Sequence, residues 1–299
     1  MSVLFANVTA VTMDPAQLVL ENAFVAVEGT KIVSVGTVRP EGTFDRVVEG
    51  KGKVLMPGLV NCHTHVPMTL MRGYGGGHDL QHWLNDFIFP AEAKLDDRAV
   101  AAGAALGLAE MIASGTTCIA DMYMHTGTIA QEIMKAGISA NLSCGGVYFG
   151  APEDFSPEKC NDCRNQQELT EQWHGAGDGQ ILVDASIHAE YTSNPPLWQW
   201  MADYAAQHNL GMQVHISETK LEHESCLEKY GKTPIALLDR GVMRAGMEIY
   251  KGDKLVGWVT SGTMVPCRSR ATAPPVSSYT APLYGASAGM PSAVRVRAK

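Results

Sequence analysis

The sequence predicts an α/β chain in which a small all-β portion precedes a run of βα units on a parallel sheet. Three observations carry this reading. Residues 1–57 are short Val-rich segments punctuated by Gly, Pro and Asp. From Gly58 onward, apolar runs of strand length alternate with helical stretches, the pattern of a parallel sheet with crossover helices. The composition, 45% hydrophobic and 18% charged, is that of a packed globular chain, not a disordered or fibrous one.

The elements follow in order. Glu28-Gly29 and Thr30-Lys31 lie between two β-branched runs and predict a hairpin. Leu59 to His63 is a strand ending in polar residues. Asp97 to Ala113 is a helix: Val100, Ala104, Leu108 and Met111 share a face, Asp96 or Asp97 can cap it, and Gly115 lies just past its end. Strands are expected at 117–121, 138–147, 181–188 and 212–216, and helices at 129–135, 166–173, 197–207 and 220–229. That makes five strands between residues 58 and 217. Past Gly241 the alternation stops; 247–250 and 255–259 read as two strands. From Cys267 the sequence is Ala, Ser, Pro, Thr and Arg without periodicity, and disorder is expected.

Charge is unevenly spread. The chain has 23 Lys and Arg against 31 Asp and Glu, net −8, but its last acidic residue is Asp253. Residues 1–253 hold 17 basic and 31 acidic side chains (−14), and residues 254–299 hold six basic and none acidic (+6). The acidic body argues against a broad nucleic-acid face. No apolar run reaches the ~18 residues of a membrane span, and the first residues do not read as a signal peptide. Seven cysteines in a chain of this length fit reduced thiols, so the cytoplasm is the expected location.

Chemistry concentrates at strand ends. His63-Thr64-His65 closes an apolar strand, and two residues separated by one point to the same side. Both imidazoles can then reach one metal ion at the carboxyl end of a strand, where parallel-barrel active sites lie; the alternative is a pair of surface histidines. His215 ends another strand, with Glu218 three residues on, placed as a general acid/base. Imidazole suits zinc, and a nearby carboxylate can move protons to and from an activated water. His188 ends a third strand. Three strands ending in histidine within one βα series are hard to explain as packing. Cys160 and Cys163 form a lone C-x-x-C with no further ligands at suitable spacing, and chance is the simpler account. His78, His82 and His125 read as loop residues. The Gly75-Gly76-Gly77 run reads as a flexible loop, not a phosphate cradle.

The segment VLMPGLVNCHTHVPMTLMRGYGGGHDLQHWL with FPAEAKL, continued by AEMIASGTTCIADMY, IHAEYTSN and VHISET, is similar to the amidohydrolase superfamily. The nearest group is the S-adenosylhomocysteine/5′-methylthioadenosine deaminases, with their chlorohydrolase relatives. The resemblance covers residues 1–240. It implies a (β/α)8 TIM-type barrel with a β-sandwich built largely from the N-terminal strands. It also implies metal-dependent hydrolytic deamination of a purine nucleoside, with zinc as the expected cofactor. By position, His63, His65 and His215 match metal ligands, and Glu218 matches the carboxylate that shuttles protons. Trp83, Glu92 and His188 match residues that hold the nucleoside. Each has a plainer reading: Trp83 as a core aromatic, Glu92 as a helix-end carboxylate, His188 as a strand-end hydrogen bonder. Oligomeric state is left open.

The sequence departs from that pattern in four respects. The family barrel takes a His after its sixth strand and an Asp ligand after its eighth, but no His follows His223 and no Asp follows Asp253. Residues 58–241 supply five strands where a closed barrel has eight, so the barrel is expected to be incomplete. Relatives tend to carry Arg where Ser139 and Cys144 stand. Residues 242–266 resemble a stretch of the glycine-cleavage T-protein, and 267–299 look like shifted-frame sequence. The expectation is a deaminase body, 1–57 as the sandwich portion and 58–241 as the partial barrel, joined to unrelated sequence. A non-catalytic fragment is the competing reading. A guanine or cytosine deaminase or a chlorohydrolase is the alternative within the hydrolases. A methyl-transfer or folate-binding protein rests on residues 244–266 alone.

Overall fold

The computed structural model describes residues 1–238, 248–251, 254–258 and 294–297. It divides into two compact units, one of residues 1–58 and one beginning at Leu59. The first holds a five-stranded sheet: β1 (Ser2–Val11), β2 (Val19–Glu28), β3 (Lys31–Gly36), β4 (Arg46–Glu49) and β5 (Val54–Leu55). β1 pairs antiparallel with β2 and parallel with β4 and β5. Its alternation buries Leu4, Ala6, Val8 and Ala10, which fixes register because a one-residue slip would expose all four. Glu28 pairs with Lys31 across the expected hairpin, and Gly29 takes φ +58° there.

The second unit is built on parallel strands: β6 (Leu59–Thr64), β7 (Thr116–Met122), β8 (Ser139–Ser143), β9 (Ile181–Val183), β10 (Ala185–Ala189) and β11 (Met212–His215). Neighbours in sequence pair in parallel, β6-β7-β8-β9 and β10-β11. The strand expected over 181–188 is interrupted at Asp184, whose buried carboxylate accepts from Gly211 N at 3.0 Å and Gln213 Nε2 at 3.3 Å. The path continues nonetheless, since Asp184 N donates to Leu142 O and His188 N to Gly146 O. Five parallel staves result. The expected strand 138–147 stops at Ser143, where Gly145 turns the chain at φ +62°.

The helices lie where periodicity places them: Asp97–Ala113, Thr126–Ala136, Asn161–Trp173, Pro195–His208 and Lys220–Tyr230. Asp96, not Asp97, caps the first, accepting from Ala99 N at 2.8 Å. The helix expected over 166–173 starts five residues earlier, at Asn161, because buried Cys163 and Gln166 extend its inner face. The interior cluster joins Val100, Ala104, Leu108, Ile119, Ile129, Ile133, Leu142 and Ile181. Gly103 and Gly107 let the first helix touch the 3-10 turn Val66–Met71: a Cβ at Gly103 would lie 2.5 Å from Pro67 O, and one at Gly107 2.8 Å from Val66 Cγ1. That close approach seats the chain directly after His65.

β12 (Glu248–Lys251) pairs antiparallel with β13 (Lys254–Trp258) and with β14 (Val294–Arg297). The rest of the segments expected to resemble T-protein and to lack regular structure lies outside the described residues. No described helix is long and apolar enough to cross a membrane.

Candidate active site

Each of the three outlying histidine signals comes from a different stave, and the staves curl until their carboxyl ends meet. His63 from β6 and His215 from β11 belong to the first and last of the five, yet their Nε2 atoms are 3.0 Å apart. His65 follows β6 directly, and ligand nitrogens of His63, His65 and His215 all fall within 4.8 Å of one another. His188 from β10 packs its ring 4.9 Å from that of His215.

The environment keeps these rings uncharged. His63 is exposed on one side, yet loss of water around the rest of its ring and the neighbouring His65 hold it down to about 4. Burial reinforced by neighbouring imidazoles holds His215 down to about 3, and burial also lowers His65. All three are therefore neutral at pH 7, the state in which a ring nitrogen can donate to a metal. His65 Nδ1 engages Met122 O, which orients the ring and leaves Nε2 for the cluster. Three neutral imidazoles, one of them oriented through its Nδ1 by Met122 O, form a donor set that fits a divalent ion such as zinc.

The cluster opens into a cavity of about 630 Å³, within the range of small-molecule sites. Met68, Leu84, Ile88, Phe89, Met122 and Phe149 supply much of its wall. Every site residue expected from the sequence lies on this cavity: Trp83, Glu92, His188 and Glu218 join the three clustered histidines. Trp83 sits in the π-helical turn Trp83–Ile88 and donates Nε1 to Tyr74 O at 2.9 Å, which fixes its ring. Glu92 ends the short helix Phe89–Glu92, is buried, and accepts from Tyr123 at 2.7 Å. Burial pushes it above the usual carboxylate range, and the Tyr123 bond partly opposes this. His188 Nδ1 meets Thr192 Oγ1 at 3.0 Å. Glu218 keeps an exposed face, but partial loss of water pushes its carboxyl up, opposed by the hydrogen bond it accepts from the Tyr191 hydroxyl.

Tyr123, Tyr191 and Glu222 were not visible as site residues in the sequence. Both tyrosines meet their glutamates across about thirty residues of chain (31 and 27 positions), beyond any local pattern. Glu222 did leave a signal: Thr219 followed by Glu222 is the capping-box spacing, and the box is present. Other candidates point elsewhere. His82 pairs with Asp79 and His125 with Asp97. Cys160 and Cys163 are buried free thiols packed with Ala185, Ile187 and Leu197.

Residues 54–250 match the model of the amidohydrolase family. The chain is 39% identical over 243 residues to the 5-methylthioadenosine/S-adenosylhomocysteine deaminase of Caldanaerobacter subterraneus, covering 81% of this chain and 55% of that protein. It is 38% identical over 215 residues to the 5′-deoxyadenosine deaminase of Methanothermobacter thermautotrophicus, covering 72% of this chain and 49% of that protein. Among solved structures it resembles an adenosine deaminase from Xanthomonas campestris with bound zinc (TM-score 0.72, 32% identity, 80% of this chain and 54% of the other). A guanine deaminase from C. acetobutylicum shares the fold at 17% identity (TM-score 0.70, 80% of this chain and 59% of the other). The chain thus spans about half the length of the curated relatives it matches.

Proposed function

The chain belongs to the amidohydrolase family, and we propose that it is a zinc-dependent hydrolytic deaminase of adenosine-type nucleosides, with 5′-methylthioadenosine and S-adenosylhomocysteine as the substrate class. The observation that carries the reading is the cluster of His63, His65 and His215 opening onto a pocket that also holds Glu218 and Glu92. The deaminases among its relatives, and the zinc in the Xanthomonas structure, support the choice of reaction and metal.

His63, His65 and His215 would hold the ion, which supplies Lewis-acid activation of water when bound. The remaining roles belong to side chains. Hydrolytic deamination exchanges the exocyclic amino group of adenine for oxygen, so a proton must reach the departing ammonia. Glu218 carries it: burial raises its pKa, and a carboxyl shifted toward neutral pH both accepts and returns protons. Tyr191 fixes one carboxyl oxygen, leaving the other for the substrate. Glu92, held through Oε1 by Tyr123, keeps Oε2 for the ribose hydroxyls. His188 and Trp83 complete the nucleoside-binding wall, and the apolar lining accepts the flat purine and excludes water.

The test is ammonia release by the purified, zinc-loaded full chain with 5′-methylthioadenosine, S-adenosylhomocysteine and adenosine. Release that a chelator abolishes and Glu218→Gln removes is expected. Release no faster than the metal-free blank for all three compounds would overturn the proposal.

A further inference from the structure

We infer that Glu222 is the positioning residue for Glu218, fixing through its buried carboxylate the loop that presents the proton-carrying side chain. The inference rests on the deaminase reading above and adds to it a residue outside the pocket wall.

Glu222 stands in the first turn of the helix Lys220–Tyr230 and is 3% exposed. Its Oε1 accepts from Ser217 N at 2.6 Å. Its Oε2 accepts from Glu218 N at 2.6 Å and Thr219 N at 3.2 Å. Three successive backbone N–H groups thus converge on one carboxylate, which as an acceptor-only group matches a set of donors. A capping box explains only the longest of the three, the return bond to the N-cap Thr219. The two shorter bonds reach past the box to Ser217 and to Glu218 itself.

Ser217 shows why such a hold is needed. It takes φ +57°, the left-handed region that a non-glycine residue occupies only when its surroundings enforce it. The turn at Ser217 swings the chain from the end of β11 so that Glu218 faces the cavity where His215 also lies. Glu222 holds the backbone of that turn, and Tyr191 holds the carboxyl at its tip. Fixed from both ends, the Glu218 side chain keeps one geometry through the reaction, and small misplacements of a reacting group are costly in rate. Glu222 does not line the cavity, so its influence passes through the loop.

The experiment compares Glu222→Gln with Asp96→Ala in the full zinc-loaded chain. Gln keeps the size but has one acceptor oxygen where the loop needs two. Asp96→Ala removes an ordinary helix cap far along the chain and serves as the stability control. For Glu222→Gln the expected result is kcat for 5′-methylthioadenosine lower by about tenfold or more with KM within about twofold. Amide hydrogen exchange at 217–219, slow in the parent, becomes fast in the variant. Asp96→Ala lowers the melting temperature and leaves kcat within about twofold. Fast exchange at 217–219 in the parent, or equal kcat losses in the two variants at equal melting loss, overturns the inference. A parent that protects these amides but releases no ammonia overturns the deaminase reading, and the positioning role with it.

Discussion

The Tyr123 hydroxyl donates to Glu92 Oε1 at 2.7 Å, tying the residue just past β7 to the short helix on the cavity wall. Glu92 is buried, and without this bond its carboxylate would have lost water on that oxygen for nothing in return. Tyr123→Phe removes only the donor. A hydrogen bond to a charged group contributes about 1.5–3 kcal/mol, so KM for an adenosine-type nucleoside should rise about tenfold or more. Because the role proposed for the pair is to bind the nucleoside, kcat should stay within about twofold. Steady-state kinetics of the two proteins check this. A fall in kcat at constant KM would instead place Tyr123 at the reacting atoms.

Metal content tests the histidine cluster without reference to activity. Substituting Ala at His63, His65 or His215 removes one of three nitrogens that lie within 4.8 Å of one another. Each variant should lose most of its zinc on dialysis against a weak chelator, whereas the parent retains about one ion per chain. His188→Ala, although its ring packs 4.9 Å from His215, should keep the metal and weaken nucleoside binding. Elemental analysis after gel filtration reads the outcome. Equal zinc loss from all four variants would move His188 into the metal set.

The convergence of these histidines is legible in the sequence because strand periodicity is short-ranged. His63, His188 and His215 each follow an apolar run, and parallel strands necessarily send those ends the same way. The helix Asp97–Ala113 is legible for the same reason, through its cap and apolar spacing. What the pattern hides are features created by contacts distant in sequence. Asp184 looks like one polar residue inside the run ILVDASIHA, and only the folded sheet shows Asn141 and Gln213 donating to its carboxylate. Likewise the Tyr191 hydroxyl can donate to Glu218 only because β10 and β11 are neighbours.

Asp121 in β7 carries a pH dependence of known sign. It is fully buried, its Oδ1 accepts from Val66 N at 2.7 Å, and its Oδ2 has no hydrogen-bond partner among the described residues. Burial pushes it well above the ordinary carboxylate range, to about 7, against a weaker opposing pull from the Val66 N–H. A folded pKa above the unfolded one means the folded chain binds the extra proton. This contribution is therefore fully present below the unfolded value, declines as pH rises, and is gone above about 7. Asp121→Asn mimics the protonated acid at every pH. The variant should melt at the same temperature as the parent near pH 4 and a few degrees higher at pH 8, with the gap opening between. Thermal melts at four or five pH values check the shape. A gap that is constant with pH would show that Asp121 stays in one protonation state.

Asp184 and Gly211 are matched parts of one buried joint. The carboxylate accepts from Asn141 Nδ2 in β8, from Gly211 N at 3.0 Å and from Gln213 Nε2 at 3.3 Å in β11, and so links staves on either side of its own. Asp184→Ala strands three donors in the interior and should cost about 3 kcal/mol or more. Gly211→Ala fails for the complementary reason: its Cβ would lie 2.7 Å from Asp184 Oδ1, and relieving that overlap costs about 1–3 kcal/mol. In the double variant the overlap is absent because the carboxylate is absent. The combined loss in urea melts should therefore fall short of the sum of the single losses by about 1 kcal/mol or more. Strict additivity would mean that the methyl at position 211 and the carboxylate at 184 do not compete for the same space.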